Sequence, residues 1–414
     1  MKKRVFHFVI AILFSVLTLP VFAGGQKEGG TATGQTVTLT EMDYWGGDPG
    51  NSAMKAYIAS FEAAHPNFKV ERTTVPFGNL LSKALTQAAS HSLPDILELD
   101  NPDLQAFAST GALAPLDSFA NIDKSQYYAG PLSTVTYEGK LYGLPVGNND
   151  LAIIYNKKMF ADAGLTPPKT WEDLLADAKA LTHGTTYGFA FSAPTTEELT
   201  WQFEPWLWTA GGSLRHIDSP QSISALKLWV TMVQNGWASK SVLNWEQANV
   251  EQQFENGYAA IQENGPWQLP LLKKSGVDFG IIPIPVPKEG MSPVPPLGGE
   301  VFTIPASTPE KEKSAWTFIG WMQQPENLIA INKAFSYIPA YVPAAQKLVE
   351  ENPLLRVFAD ELKTGRARTL HLGQNYPKVS QIVWTAVQAA LAGTATPEDA
   401  FKQAQQQVDQ ALKQ

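Results

Sequence analysis

Predicted strands and helices alternate from residue 37 onward, and this alternation restricts the folds open to the chain. Residues 37–43, VTLTEMD, predict a strand, and residues 51–64 place apolar side chains on one helical face. A strand at 68–71, a helix at 80–89 and a strand at 95–99 continue the pattern. Such alternation is typical of an α/β fold with a largely parallel sheet, in which ligands bind at the carboxyl ends of the strands.

Residues 1–23 have the pattern of a secretory signal peptide. The chain starts with basic MKKR, continues with a mostly apolar run and reaches Val21-Phe22-Ala23, which suits cleavage before Gly24. The run is too short for a membrane span, and no later segment has 18 uninterrupted apolar residues. Residues 24–36 are rich in Gly and Thr and predict a flexible leader. The sequence therefore predicts an exported, soluble protein.

The mature chain is predicted to be acidic and free of disulfides. Without the signal peptide, 28 basic and 39 acidic side chains remain, a formal net charge of −11. Nucleic acids and anionic membranes attract basic surfaces, so neither is a predicted partner. The sequence contains no Cys, so the fold depends on its core, and no thiol near the new N-terminus can carry a lipid. About 390 mature residues are enough for two domains.

Helix starts are marked at three places. Thr170 precedes a helical pattern and has Asp173 three residues on, as in a capping box. Thr308-Pro309 and Thr396-Pro397 each place an N-cap residue before a Pro at the first helical position. Six prolines from Ile282 to Pro296, before the second of these helix starts, predict a stiff, extended segment.

Motifs for metals, cofactors and covalent catalysis are missing from the sequence. None of the six His pairs with another at metal-ligand spacing. There is no GxxxxGK[ST] phosphate loop and no GxSxG nucleophile turn. ELDNPD at 98–103 lacks the Gly and the final Glu of an EF-hand loop, and its acids are predicted to be solvated. We expect no metal and no cofactor.

A carbohydrate-cleaving enzyme is an alternative that the carboxylates leave open. A glycosidase needs two carboxyl groups at a defined separation, which a sequence does not measure. A surface or hydrogen-bonding role is the preferred interpretation at each candidate position: Asp43, Asp48, Asp100, Asp150, Glu204, Glu263 and Glu300.

Several of the twelve Trp residues stand beside turns or acids. Trp45 precedes Gly-Gly-Asp, Trp267 follows Gly-Pro, and Trp201, Glu204 and Trp208 share one helical face. Rings near carboxylates and amides suit a pyranose, whose faces stack on rings while its hydroxyls form hydrogen bonds.

Stacking one sugar face on a ring buries ~50 Å² of apolar surface, which contributes about 1 kcal/mol of binding free energy. Micromolar affinity needs roughly 8 kcal/mol, so several groups must converge. Packing of these Trp residues in the core remains the other interpretation.

Residues 139–181, GKLYGLPVGNNDLAIIYNKKMFADAGLTPPKTWEDLLADAKAL, resemble the hallmark segment of a known family. The family is the maltose-binding-protein-like group of extracellular solute-binding proteins that serve carbohydrate ABC importers. Shorter matches occur in the family's order along nearly the whole mature chain: YWGG at 44, LPDILELD at 93, GALAPLD at 111, FENGYAAIQENGPW at 254 and GTATPEDAFKQA at 393.

The resemblance implies a two-lobed periplasmic binding protein fold with a ligand cleft between the lobes. The N-lobe would comprise residues 37–148 and 303–338, and the C-lobe residues 149–302 and 339–414. The chain would cross between the lobes near 148–152, 297–303 and 337–341, and the lobes would close by hinge bending.

The resemblance also implies the residues of the cleft. The first group is Trp45, Asn149, Asp150, Trp267, Gly299 and Glu300. A second group is Phe77, Asn101, Trp201, Glu204 and Tyr337. One departure from the family pattern is the lack of a Pro after Arg368 in RTLHLGQNYPKV (368–379), which leaves contacts from His371 and Asn375 unassigned.

The function implied is that of a periplasmic receptor that captures a mono- or oligosaccharide and delivers it to the permease of an ABC importer. Such a protein would be monomeric, non-catalytic and, without a lipid-bearing Cys, free in the periplasm. A binding protein for a sugar phosphate or another small polar solute is an alternative. It would need Arg or Lys in the cleft, whereas the matched motifs offer acids and amides.

Overall fold

A computed structural model describes residues 36–413 of the 414-residue chain. The predicted signal peptide, and the predicted leader apart from Thr36, lie outside the described residues. Between Thr36 and Lys413, no helix is long and apolar enough to cross a membrane.

The strands of the described region belong to three sheets. They are β1 Val37–Asp43, β2 Phe68–Thr74, β3 Ile96–Asp100, β4 Thr136–Tyr137, β5 Lys140–Leu141, β6 Gly143–Asn149, β7 Ala152–Asn156, β8 Tyr187–Ala190, β9 Ala259–Asn264, β10 Phe279–Ile282, β11 Pro296–Thr303 and β12 Arg366–Ala367.

The helices cover the faces of the two larger sheets. They are α1 Gly50–Ala64, α2 Phe77–Ala89, α3 Leu104–Ser109, α4 Ala129–Thr134, α5 Lys157–Ala163, α6 Trp171–Leu181, α7 Glu197–Thr209, α8 Pro220–Gln234, α9 Gln247–Glu255, α10 Leu269–Ser275, α11 Pro309–Met322, α12 Pro325–Phe335, α13 Val342–Glu351, α14 Arg356–Glu361, α15 Tyr376–Leu391 and α16 Pro397–Ala411.

The predicted alternation of strands and helices is confirmed from β1 to β3. β1 pairs in parallel with β2, where Val37 faces Phe68, and with β3, where Met42 faces Leu97. Helix α2 begins at Phe77, three residues before the predicted start, directly after Pro76. The predicted capping box at Thr170 is present, since Thr170 and Asp173 exchange side-chain to backbone hydrogen bonds of 3.2 and 2.9 Å.

Two sheets form the centres of two lobes. The six-stranded sheet has the order β12-β11-β3-β1-β2 with β6 beside β11, and the four-stranded sheet has the order β10-β7-β9-β8. We call the lobe around the six-stranded sheet the N-lobe and the lobe around the four-stranded sheet the C-lobe. The exact residues at which each lobe begins and ends remain the prediction given above.

The chain crosses between the sheets where the strand order requires it. β6 and β7 lie in different sheets, so residues 150 and 151 make the first crossing, within the predicted 148–152. The second crossing runs through residues 283–295, between β10 and β11, and so ends before the predicted 297–303. Ile338 forms an isolated bridge with Asn148 in the region predicted for the third crossing.

The proline-rich segment was predicted to be extended, but it contains a turn in which Met291 N–H donates to Lys288 O at 3.3 Å. It is attached to the start of α6. Val286 donates its backbone N–H to Lys169 O at 3.0 Å and accepts from Trp171 N at 2.9 Å. The indole Nε1 of Trp171 donates to Pro285 O at 3.0 Å. Because prolines have no backbone N–H, the segment cannot pair as a regular strand. The bonds to α6 give partners to its remaining backbone groups.

Separate apolar cores lie against the two sheets. Phe61, Phe107 and Phe302 are fully buried in the core of the six-stranded sheet. Trp206 and Trp229 are fully buried in the largest core, between the four-stranded sheet and α6, α7, α8, α15 and α16. Burying each such ring stabilises the lobe by roughly 2–3 kcal/mol relative to an exposed ring, so each sheet is a rigid base for the residues at its edge.

Several strand ends meet at one edge of the six-stranded sheet. β1 and β3 are parallel and end at Asp43 and Asp100. β11 is antiparallel to both β3 and β6, so β6 runs in the same direction as β3 and ends nearby at Asn149. Glu300 of β11 lies opposite Asp100. The topology therefore collects carboxylates and an amide at this edge.

Candidate ligand-binding site

A cavity of about 320 Å³ lies at this edge, between the two sheets. Most of the predicted site residues line it: Trp45, Phe77, Asn149, Trp201, Trp267, Gly299, Glu300 and Tyr337. The wall also contains residues that sequence reasoning did not include in the site, among them Tyr44, Asp48, Asp100, Glu198, Gln247, Phe335 and Arg368.

Three predicted site residues lie behind the cavity wall instead of on it. Asn101 is buried and donates its Nδ2–H to Leu297 O at 3.2 Å. Asp150 is fully buried in the first crossing, where burial and the nearby Glu361 raise the pKa of its carboxyl well above the usual value. Glu204 is also fully buried and accepts a hydrogen bond of 3.0 Å from Tyr376 Oη. Any part that these residues play in binding remains a prediction.

Trp45 is fixed to the end of β1 by a charged hydrogen-bond network. Its backbone N–H donates to Asp43 Oδ1 at 2.8 Å. Arg72 binds the same carboxylate through Nε and Nη2, at 2.5 and 2.7 Å, and also donates to Trp45 O at 2.6 Å. The indole packs on Phe335 with a centroid distance of 4.7 Å. Trp45 is only 6% exposed, so most of the side chain stabilises the core while a small part lines the cavity.

Glu300 is held in the cavity wall by three donors on one oxygen. Its Oε1 accepts hydrogen bonds from Tyr44 Oη, from Tyr337 Oη at 3.2 Å and from Asn149 Nδ2 at 3.4 Å. Oε2 has no hydrogen-bond partner within the described part of the chain. Burial raises the pKa of Glu300 to about 7, although the hydroxyl of Tyr44 acts in the opposite direction. Oε2 is itself buried, so the three donors on Oε1 hold the carboxyl in place.

Two glycines of β11 let other site residues approach the backbone. A Cβ on Gly298 would lie 2.0 Å from Asn149 Oδ1 and 2.5 Å from the Trp201 ring. A Cβ on Gly299, whose φ is +136°, would lie 2.3 Å from Gly147 O. Gly299 lines the cavity through its backbone alone, because both its conformation and its surroundings exclude a side chain.

Trp267 stands on a short turn, Pro266–Gln268, directly after β9. Its ring lies across the backbone of Gly265, where a Cβ would be 2.0 Å from Cζ3. The side chain is half-buried and packs against the core of the six-stranded sheet while lining the cavity. The φ of Gly265, −109°, is open to any residue, so the backbone conformation does not require glycine here. The Trp267 ring requires it, because the ring occupies the space of a side chain at 265.

The aromatic stripe of α7 divides between the cavity and the core. Trp201 reaches the cavity, whereas Trp208 is 4% exposed and stacks under Arg366 at 4.8 Å. Of the carboxylates considered for a glycosidase, Asp43 pairs with Arg72 and Glu263 is fully buried against Trp206. Asp48, Asp100 and Glu300 line the cavity.

Arg368 is the basic residue of the wall, and its role was missed from the sequence. Its Nη1 donates to Asp100 Oδ2 at 2.8 Å and to Glu197 Oε1 at 3.0 Å, while Nη2 binds the other oxygen of Asp100. The guanidinium also stacks on Trp201, 4.5 Å from the ring centroid. The prediction that the acids of 98–103 are solvated is wrong for Asp100 and Glu98, because the first is paired with Arg368 and the second is fully buried. An acid at the end of a buried strand was a signal that a basic partner was needed.

No group of three His, Cys, Asp or Glu in residues 36–413 is placed to hold a metal ion. The side chains at the cavity include aromatic rings, hydroxyls, amides, carboxylates and the guanidinium of Arg368. Such a site can stack on an apolar face and exchange hydrogen bonds with polar groups around it.

Two α/β lobes joined by crossing strands, with a polar and aromatic cavity between their sheets, define a two-lobed binding protein. The family model described as bacterial extracellular solute-binding protein matches residues 56–357. The chain belongs to this family.

Individual relatives are about 25% identical in sequence to this chain. The maltotriose-binding protein of Pyrococcus abyssi is 26% identical over 308 residues, which cover 72% of this chain and 65% of the relative. The solute-binding protein of Thermotoga lettingae TMO bound with α-D-tagatose has a TM-score of 0.83 at 26% identity, covering 91% of this chain and 99% of that one. The cyclic α-maltosyl-1,6-maltose binding protein of Arthrobacter globiformis has a TM-score of 0.74 at 27% identity, with the same coverage.

Proposed function

We propose that this protein is the sugar-binding receptor of a carbohydrate ABC importer. It captures a mono- or oligosaccharide in the cavity between its lobes and delivers it to the membrane permease. The observation that carries the proposal is the convergence of Trp45, Trp201 and Trp267 with Asn149 and Glu300 on one cavity.

The chemistry of the wall matches that of a pyranose. Each stacked face contributes about 1 kcal/mol by area, and an offset or edge contact with a ring adds roughly 0.5–1.5 kcal/mol. The side chains of Glu300 and Asn149 line the cavity and supply polar partners for sugar hydroxyls. Several such contacts reach the roughly 8 kcal/mol of a micromolar complex. The related proteins named above bind maltotriose, tagatose and a cyclic maltosyl-maltose, which share only the carbohydrate class.

Closure of the lobes follows from the division of the site between them. Trp45 and Glu300 belong to the six-stranded sheet and its edge, whereas Trp201 and Trp267 come from α7 and the turn after β9. A sugar gains its full set of contacts only when the lobes approach, so ligand binding favours the closed form. The bodies that move are the N-lobe and the C-lobe, each built around its own sheet. The closed form is the one that the permease recognises.

We place the protein in the periplasm as a free monomer without catalytic activity. The family is extracellular, and the sequence has no Cys to carry a lipid. Incubation with oligosaccharides should produce no new reducing ends; their appearance would favour the carbohydrate-cleaving alternative.

A sugar phosphate is the less favoured ligand because of the charges at the cavity. Asp48, Asp100, Glu198 and Glu300 line it, and the guanidinium of Arg368 is already bound to Asp100 and Glu197. An added phosphate would meet carboxylates and would compete for a basic group that is already paired.

The test is isothermal titration of the protein, purified without refolding, against a panel of neutral sugars and sugar phosphates. We expect binding of at least one neutral sugar and a loss of roughly tenfold or more in affinity for Asn149→Ala. Asn327→Ala is the matched control, since Asn327 is half-buried outside the cavity and binds Trp321 O at 2.8 Å. No heat with any sugar at millimolar concentration would contradict the proposal, and equal effects of the two variants would place the site elsewhere.

A further inference from the structure

A second cavity, of about 120 Å³, adjoins the first. Phe77 and Asp100 line both cavities, so they form part of a common wall. Arg368 lines the first cavity and Glu197 lines the second. Because Arg368 is bound to both Asp100 and Glu197, the ion pairs between these three residues form the partition between the two spaces.

The partition is fixed by contacts on several sides. The Arg368 side chain is 2% exposed and holds Asp100 with both terminal nitrogens. Nη2 also donates to Asn101 Oδ1 at 3.1 Å, and Trp201 packs against the guanidinium plane. Glu197 accepts further hydrogen bonds from Tyr376 Oη at 2.5 Å and from Ser380 Oγ. A side chain with this many partners does not move aside without the loss of charge-assisted hydrogen bonds.

The second cavity has the same kind of lining as the first. Trp384 and Pro377 of α15 offer apolar surface, and Thr196 and Asp103 offer polar groups. At ~10–15 Å³ of such volume per water molecule, it holds several waters or part of a polar ligand. It is therefore a space that a sugar chain would enter if the partition were removed.

We propose that the Asp100–Arg368–Glu197 partition closes one end of the binding cavity and sets the longest sugar that the protein accepts. The inference rests on the proposed function and assigns to Arg368 a role in specificity for chain length. A ligand with one unit too many would have to displace the guanidinium and leave buried carboxylates unpaired. Breaking a buried pair in this way lowers affinity by a factor on the order of 100 or more.

The test compares length series on variants of the partition. Maltooligosaccharides, galactooligosaccharides and mannooligosaccharides of one to six units are titrated calorimetrically into the wild type. The double variant Asp100→Asn/Arg368→Ala removes both charges together, and Glu197 keeps its donors Tyr376 and Ser380. Arg366→Ala is the matched control, because Arg366 stacks on Trp208 and lines neither cavity.

We expect the wild type to lose at least tenfold in affinity beyond a certain length, and the double variant to accept at least one further unit within tenfold of its best Kd. Arg366→Ala should keep the wild-type limit. If the double variant does not fold, Arg368→Lys is used in its place. Lys lacks the planar fork that holds both carboxylates, so this variant should also accept a longer sugar.

An unchanged limit in the folded variants, or a wild type with no limit up to six units, would overturn the inference while leaving the sugar receptor intact. A wild type that binds no sugar at all would overturn the proposed function as well.

Discussion

Replacing Gly265 by Ala is expected to weaken sugar binding while leaving the protein folded. The new methyl group would lie 2.0 Å from Cζ3 and 2.1 Å from Cη2 of Trp267. Carbon atoms in contact are about 3.5–4.0 Å apart, so the ring must leave its position over the glycine. The backbone at 265 has ordinary dihedral angles, so the substitution disturbs the ring and not the turn itself.

The expected loss follows from what the ring contributes. One stacked sugar face contributes about 1 kcal/mol by area, and the specific geometry of an aromatic contact adds about as much. A total of about 2 kcal/mol corresponds to roughly a 30-fold increase in Kd. The displaced ring costs the fold only about 0.5–1.5 kcal/mol, a shift in Tm of a few degrees at most for a chain of this size.

The assay is calorimetric titration with the sugar found in the panel, together with thermal unfolding of each variant. Trp267→Ala should lose about as much affinity as Gly265→Ala, and the double variant should lose no more than either, because both substitutions remove the same ring contact. Trp316→Ala is the control, since Trp316 is half-buried and stacks on Phe119 outside the cavity. Wild-type affinity in Gly265→Ala, additive losses, or a large fall in Tm with intact binding would each refute the reasoning.

Two further predictions concern stability. Burial raises the pKa of Glu300 from 4.5 to about 7, so the folded state binds the carboxyl proton more tightly than the unfolded state. The stability that this proton contributes is fully present below pH 4.5 and is lost as the pH rises to about 7. Chemical denaturation of Glu300→Gln should therefore show a smaller decline in the free energy of unfolding across this range than the wild type; parallel pH curves would argue against it. Thr170→Ala should lower the free energy of unfolding by about 1 kcal/mol through loss of the capping box, whereas Thr394→Ala, whose hydroxyl bonds only to Ala389 O near the end of a helix, should change it less.

Features of the fold that depend on residues close together in the sequence could be predicted from it. The strand and helix from 37 to 64, and the cap at Thr170, rest on side chains within a few positions of one another. The turn that carries Trp267 could likewise be predicted, since Gly265 and Pro266 mark it. Local periodicity and turn chemistry determine such features, so the sequence displays them directly.

Contacts between distant segments could not be predicted in the same way. Arg368 and Asp100 are 268 positions apart, and Tyr44 and Glu300 are 256 positions apart. Their meeting depends on the strand order of the six-stranded sheet, which periodicity does not encode. Trp201 and Trp208 illustrate a related limit, because a shared helical face does not show which end of that face meets the cavity and which meets the core.

The position of β11 has a consequence for how the protein folds during synthesis. This strand lies between β3 and β6, yet it follows β3 by about 200 residues in the chain. At roughly 5–20 residues per second, a ribosome needs about 10–40 s to reach it after β3 has been made. Throughout that interval the open edge of β3 can pair only with other segments or other chains. Pairing of this edge of β3 therefore waits for residue 303, so the early strands must remain unfolded or protected from aggregation until then.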